Sequence, residues 1–236
     1  MLNLDSSKFN YLIMGIPDEV YFGENINGES IHYGEARKIS NEQHKLIILK
    51  KRLDVLLIKQ IGELSRQGNN SSYIIWSPFP LCVLTFLGIE TLGRIIGDIE
   101  KIKANNEFEQ SKIIVTPIYG LLDKKLLHKP TKPFITSFKS IHGNVDKKLL
   151  SRYSDVIHKY QRNTFNHGYQ ARGVFLDHAI HTFWIIEEKK GYVTINPYLF
   201  WKRFNEVYED IFQKILSNNE KTWRLNSLKY FEKLIS

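Results

Sequence analysis

The chain has 236 residues, of which 42% are hydrophobic and 13% aromatic; this is ample material for a packed core and excludes a disordered or fibrous chain. Lysine and arginine give a formal net charge of +8, which favours a polyanionic partner, although a surplus of this size is also common in proteins that bind none. The one cysteine, Cys82, excludes an intrachain disulfide; it lies in an apolar run and reads as packing material in a reducing compartment.

At the start of the chain no basic region precedes an apolar core, so no secretory signal is expected and the expected location is the cytoplasm. Residues 1–39 are rich in turn formers and aromatics and read as an irregular N-terminal arm, with Asn27-Gly28 marking a hairpin between Val20–Phe22 and Ile31–Tyr33. Ser40-Asn41-Glu42-Gln43 has the capping-box pattern. Ile47, Leu53, Leu57, Ile61 and Leu64 then continue at helical spacing up to Gly68, predicting a first long helix. Tyr73 to Ile89 carries no charge, but this run of 17 residues is broken by Pro78 and Pro80 and is followed by Glu90 and Arg94. It falls short of the roughly 20 residues that a membrane span needs, so a buried core helix and no membrane partner are expected. Ser77-Pro78 opens that helix, whose Leu81, Leu84, Leu92, Ile95, Ile99 and Ile102 share one side, with Gly88, Gly93 and Gly97 permitting close contact.

Between Asn105 and Asn144 the pattern weakens. Thr116-Pro117 opens a short helix through Leu127, and Pro130 and Pro133 break the stretch beyond it, so a connecting region is expected. From Val145, the residues Leu149, Leu150, Tyr153, Val156, Ile157, Tyr160 and Phe165 return to helical spacing. Ile180 to Glu187 and Tyr192 to Ile195 flank Glu188-Lys189-Lys190-Gly191 and predict a small β-hairpin near residues 180–195. Asn196-Pro197 caps an amphipathic helix with Phe200, Phe204, Val207, Tyr208, Ile211 and Ile215 as its stripe, and a last helix covers Trp223 to Leu234. With no repeat, low-complexity run or clean linker, the economical architecture is one mainly α domain over residues 1–236. It comprises the arm at 1–39 and a helical core at 40–236 that includes the C-terminal helices.

The helix from Val145 runs into Arg162-Asn163-Thr164-Phe165-Asn166-His167-Gly168-Tyr169, a cation, an amide, an imidazole and a phenol within eight residues. Arginine presents a permanent forked charge to a phosphate, and histidine titrates nearest neutrality, so the pair suits phosphodiester cleavage without a metal. Arginine–histidine spacing alone decides nothing: about one such pair is expected by chance, and Arg37 with His44, Arg152 with His158, and Arg172 with His178 have it too. The Arg162 copy differs in the asparagine that follows it, the Gly168-Tyr169 ending and its place late on an amphipathic helix.

In these features the stretch resembles the signature of the HEPN superfamily: an arginine, commonly followed by a polar residue such as asparagine, then four to six residues and a histidine. One toxin branch extends this to arginine, four residues, histidine, any residue, tyrosine, which Arg162, His167 and Tyr169 match. The resemblance implies a HEPN-like helical bundle, commonly a homodimer whose two motifs meet across the interface as one ribonuclease site in a toxin–antitoxin or antiviral defence setting. It implies catalytic roles for Arg162 and His167, with Asn163 orienting the imidazole or the phosphate. It also implies RNA as partner, an antitoxin or regulatory protein as a further one, and no cofactor. In the toxin branch the tyrosine matching Tyr169 is modified by a partner nucleotidyltransferase, but this chain is much longer than those toxins. The superfamily also contains members that only bind or scaffold.

Asp177-His178-Ala179-Ile180-His181, with His167 and Glu187-Glu188, offers a competing metal-site reading. On a strand the two histidines point to opposite sides, and the usual reinforcing carboxylate motif is missing. His178 and Arg172 are instead expected to border an RNA groove. Lys124-Lys125, Lys147-Lys148, Lys129 and Lys132 either guide a nucleic-acid backbone or form solvated faces. No glycine-rich phosphate loop, Gly-x-Ser-x-Gly or Cys-x-x-Cys occurs. The expectation is a metal-independent endoribonuclease. A non-catalytic HEPN-like module that binds RNA or protein, and an unrelated helical scaffold, are the alternatives.

Overall fold

The structure is a computed structural model, and it describes residues 16–69, 78–98, 102, 104, 107–143, 145, 150–159 and 174–236. The fold is mainly helical, and its apolar stripes meet in one continuous core that runs from the first hairpin to the last helix.

Within the arm expected at 1–39, the hairpin read from Asn27-Gly28 is present. Strands β1 (Tyr21–Glu24) and β2 (Ser30–His32) pair antiparallel, with Gly28 at φ 85° in the connecting turn, and lead into the short helix α1 (Tyr33–Arg37). Phe22 is fully buried, edge-on to Tyr33 and Phe231, and the Arg52 guanidinium lies over its ring and donates to its carbonyl oxygen. The hairpin thus belongs to the core, sealed by aromatic packing that short-range pattern does not reveal.

Helix α2 (Glu42–Leu53) starts one residue later than the capping box implies. Asn41, not Ser40, is the N-cap, its side-chain oxygen accepting from the His44 N–H at 3.0 Å. A π turn, Asp54–Ile58, joins α2 to α3 (Lys59–Asn69), and the Asp54 carboxylate at its start accepts the Tyr208 hydroxyl at 2.7 Å. Helix α4 (Pro78–Ile96) starts at the predicted proline but ends before Ile102. It is long and apolar enough to cross a membrane, yet it packs against α3, α5, α8 and α9 with Leu81, Phe86, Ile89, Leu92 and Ile95 buried. A Cβ at Gly93 would stand 2.5 Å from the Ile114 carbonyl oxygen and one at Gly88 2.7 Å from the Phe204 ring, so these glycines set how closely α5 and α8 approach. Cys82 is buried in this helix.

The connecting region expected after Asn105 is largely helical. Helix α5 (Glu107–Leu122) runs straight through Pro117. The hydroxyl of Thr116 donates to the Lys112 carbonyl at 2.7 Å, and burial of Ile114, Val115, Ile118 and Tyr119 outweighs the hydrogen bond that proline removes. A 3-10 turn, Lys124–Leu127, follows. Pro133 then opens a helix instead of breaking one: α6 (Lys132–His142) has Thr131 as N-cap and the proline in its first turn, where its missing N–H costs nothing. Helix α7 is described over residues 153–159, so the long helix expected from Val145 is seen for that part alone, with Tyr153, Val156 and Ile157 buried.

The predicted hairpin is present as β4 (Trp184–Glu187) and β5 (Tyr192–Ile195), with Gly191 at φ 67°. Residues 180–183 form a loop rather than strand, and a third strand, β3 (Val174–Leu176), pairs parallel to β5. Asn196 caps α8 (Pro197–Leu216) by accepting from Tyr198 and Leu199, and its amide donates to the carbonyls of His178 and Ile180, so one side chain starts the helix and holds the preceding loop. Helix α9 (Lys221–Ile235) closes the chain against α4 and α2.

Candidate functional site

The sequence places the site at the end of α7, and what positions that helix is a buried polar cluster that it shares with α4 and α5. Burying a polar group is costly unless it is paired, and Asp155 and His158 of α7 are paired across to α5. From α7, Asp155, whose side chain is 1% exposed, meets Lys112 of α5 with its Oδ2 2.8 Å from Nζ. Burial raises the Asp155 carboxyl above its usual value, against the opposing pull of Lys112 and Arg152. Arg152, just ahead of α7, donates to the Thr116 hydroxyl at 3.2 Å, which in turn donates to the Lys112 carbonyl.

His158 lies one turn on from Asp155 and is also buried. Its Nε2 is 2.9 Å from Ser111 Oγ, and Ser111 donates to Glu90 Oε1 of α4 at 3.2 Å; Arg94 reaches the same oxygen at 3.1 Å. The single serine proton goes to the carboxylate, which can only accept, so Nε2 carries the hydrogen in this link. The order is therefore imidazole to hydroxyl to carboxylate, opposite to the direction in which a histidine activates a serine nucleophile. The relay ties α7 to α5 and α4 and is an anchor.

Tyr119 completes the cluster. Its ring is fully buried and its hydroxyl has no hydrogen-bond partner among the described residues. Burial first, then Cys82, Glu90 and Asp155, push the phenol well above its ordinary range, so it stays protonated. At the other end of α7, the Tyr153 N–H donates to the His128 carbonyl at 3.1 Å and the Tyr153 hydroxyl accepts from the Thr131 N–H at 3.2 Å, so the segment between α5 and α6 is fastened to the first turn.

Arg162, Asn163, His167, Tyr169 and Arg172 lie outside the described residues, as do Lys147 and Lys148. His178 is exposed in the loop after β3, where Asp177 Oδ1 accepts from the Ala179 N–H and the His178 carbonyl is held by Asn196. His181 is exposed on the same loop, and no group of three potential metal ligands occurs among the described residues. Sequence reasoning meets His158 only as one of the chance arginine–histidine pairs and misses Ser111, Lys112 and Asp155, although a signal exists: Asp155 and His158 sit inside the apolar stripe Leu150, Tyr153, Val156 and Ile157, where an unpaired polar residue would be costly. Comparison with protein-family models, with characterised proteins and with solved structures finds no match to this chain.

Proposed function

We propose that this protein is a metal-independent endoribonuclease of the HEPN type, with Arg162, Asn163 and His167 as its catalytic set and with a toxin or antiviral defence role. The observation that carries the reading is the Arg162-Asn163 start and His167-Gly168-Tyr169 ending of one short stretch. The mainly helical fold and the buried anchoring of α7, only a few residues upstream, support it.

In the proposed reaction the RNA 2′-oxygen attacks the adjacent phosphorus as its proton leaves, the bond from phosphorus to the 5′-oxygen breaks, and the 5′-oxygen takes up a proton. The products are a 2′,3′-cyclic phosphate and a 5′-hydroxyl. His167 moves one of these protons, and Arg162 stabilises the charge that builds on the phosphoryl oxygens. Residues five apart on a regular helix diverge by about 140°, whereas Asn163 and His167, four apart, share a face. A second copy supplying the complementary arginine, or a bend near Gly168, resolves this, and the homodimer in the proposal takes the first course. Tyr169, Arg172 and His178 are assigned to RNA contact or, for Tyr169, to modification by a partner.

Purified chain incubated with single-stranded and structured RNA in EDTA, beside Arg162→Ala and His167→Ala, tests the reading. Cleavage that falls by about 10²-fold or more in His167→Ala is expected for loss of general acid–base catalysis. Cleavage that requires a divalent ion sinks the mechanism, and RNA bound but left intact by the unmodified chain favours the non-catalytic module.

A further inference from the structure

The charge of this chain is unevenly placed. Residues 124–143 contain Lys124, Lys125, Lys129, Lys132 and Lys139 and no acid, so five of the eight surplus positive charges lie within twenty residues. All five lysines are exposed, and no ion pair engages any of them among the described residues. On the helical bundle many cations are partnered: Lys45 with Glu232, Lys50 with Asp54 and Glu209, Arg203 with Glu206, Lys214 with Asp210. Like charges left together without counterions raise the potential of the surface, a cost that an approaching polyanion removes.

The fold holds this segment in place. The Tyr153 contacts to His128 and Thr131 fasten it to α7, and Ser137 donates to the Lys189 carbonyl at 3.0 Å, holding the β4–β5 turn with its exposed Lys189 against α6. That turn also brings Glu187, which faces Lys190, and the exposed Glu188. Asp123 at the segment's edge is occupied by the Trp184 indole N–H at 3.0 Å and the Lys125 backbone N–H. Beside Lys125 lies an open groove of about 590 Å³ whose other wall is Phe183, in the loop before β4, with Trp184 and Ile186 of β4. A cation facing half-buried apolar side chains, here Lys125 opposite Phe183 and Ile186, is an arrangement by which proteins hold single-stranded nucleic acid, the first neutralising a phosphate and the second receiving a base.

We propose that residues 124–139, with Lys189 and the groove along β4, form a docking track for single-stranded RNA beside the start of α7. The choice of RNA rests on the ribonuclease reading. The distribution of the lysines over a 3-10 turn, a loop, a helix and a hairpin turn favours a phosphate backbone over a lipid surface, because α6 turns Phe134 and Phe138 into the core and offers no broad apolar face to insert.

Binding of a labelled oligouridine to full-length His167→Ala protein, read by fluorescence anisotropy across a salt series, tests the track apart from cleavage. Lys124→Gln/Lys125→Gln/Lys129→Gln is compared with Lys38→Gln/Lys59→Gln/Lys221→Gln, which removes the same charge from three separate elements. Removing three lysine–phosphate pairs from a single-stranded complex lowers the slope of log affinity against log salt by about 2 and weakens binding by roughly tenfold, and the second variant stays within about twofold. Lys132→Gln/Lys139→Gln provides an independent variant with the same expected direction. Equal weakening by the track and control variants, or none by either, overturns the track; so does binding of phosphatidylserine vesicles without binding of oligouridine. Failure of cleavage by the unmodified chain would leave a positive binding result standing, and the reverse holds as well.

Discussion

Helix α8 buries Phe200, Phe204, Val207, Ile211, Phe212 and Ile215 along one stripe, whereas α7 buries Val156 and Ile157 together with Ser154, Asp155 and His158. In α8, apolar area removed from water supplies the stability, and any side chain of similar size and shape would serve nearly as well. In α7 the buried polar groups recover little net energy, because desolvation offsets most of what pairing returns. What they gain is a single register against Lys112, Ser111 and Glu90, the property wanted in the helix that leads to the proposed catalytic residues.

The contrast can be broken from the apolar side first. Phe204→Ala, which empties a site packed against Gly88, is expected to cost about 4 kcal/mol in urea unfolding, the largest single effect. A loss below about 1 kcal/mol would mean that the core collapses around the gap and that α8 is not the dominant packing element. On the polar side, Asp155→Ala leaves the Lys112 charge against a buried surface and is expected to cost about 3 kcal/mol, while Lys112→Met/Asp155→Leu recovers most of that. If the double variant is as unstable as the single one, the pair contributes stability as well as register.

The protonation of Asp155 sharpens the comparison. Its carboxyl is raised above the ordinary 3.8, chiefly by burial, so the folded chain holds this proton more tightly than the unfolded chain does. Stability contributed by the group is complete below about pH 3.8 and is lost as pH rises through the raised folded value. Denaturation at a series of pH values should show the unmodified chain gaining on Asp155→Asn as the medium is acidified. A difference that moves the other way would place the carboxyl below its ordinary value. The smallest effect is expected at Asn196→Ala, about 1 kcal/mol for the lost cap, with faster amide exchange in residues 178–180 as its specific signature.

Elements that depend on local chemistry are legible in the sequence. The α8 stripe, the Asn196 cap, the glycine turn at 191 and the Pro78 start of α4 each follow from residue type and spacing, and each stands where residue type places it. Features that depend on distant partners are not. Strand β3 exists because Val174 to Leu176 find β5, α6 exists because Phe134 finds Tyr153, and the π turn at Asp54 lies where Tyr208 donates. A proline reads as a breaker or a starter depending on the cap before it, and Thr131 decides in favour of a starter at Pro133. The anchoring cluster is hidden for a further reason: Arg152 and His158 have a spacing like that of the proposed catalytic pair, and only burial distinguishes a structural histidine from a reactive one. The catalytic pair itself is legible only as a motif, its residues lying outside those that the structure describes.

The most direct test is the chemistry of the cut. An RNA carrying a single 2′-deoxy substitution at the principal cleavage position, incubated with the chain in EDTA, should resist cleavage there, while the unsubstituted RNA yields a 2′,3′-cyclic phosphate and a 5′-hydroxyl and His167→Ala yields neither. Cleavage of the substituted RNA at that position, or products ending in a 5′-phosphate, would contradict attack by the 2′-oxygen and with it the proposed function.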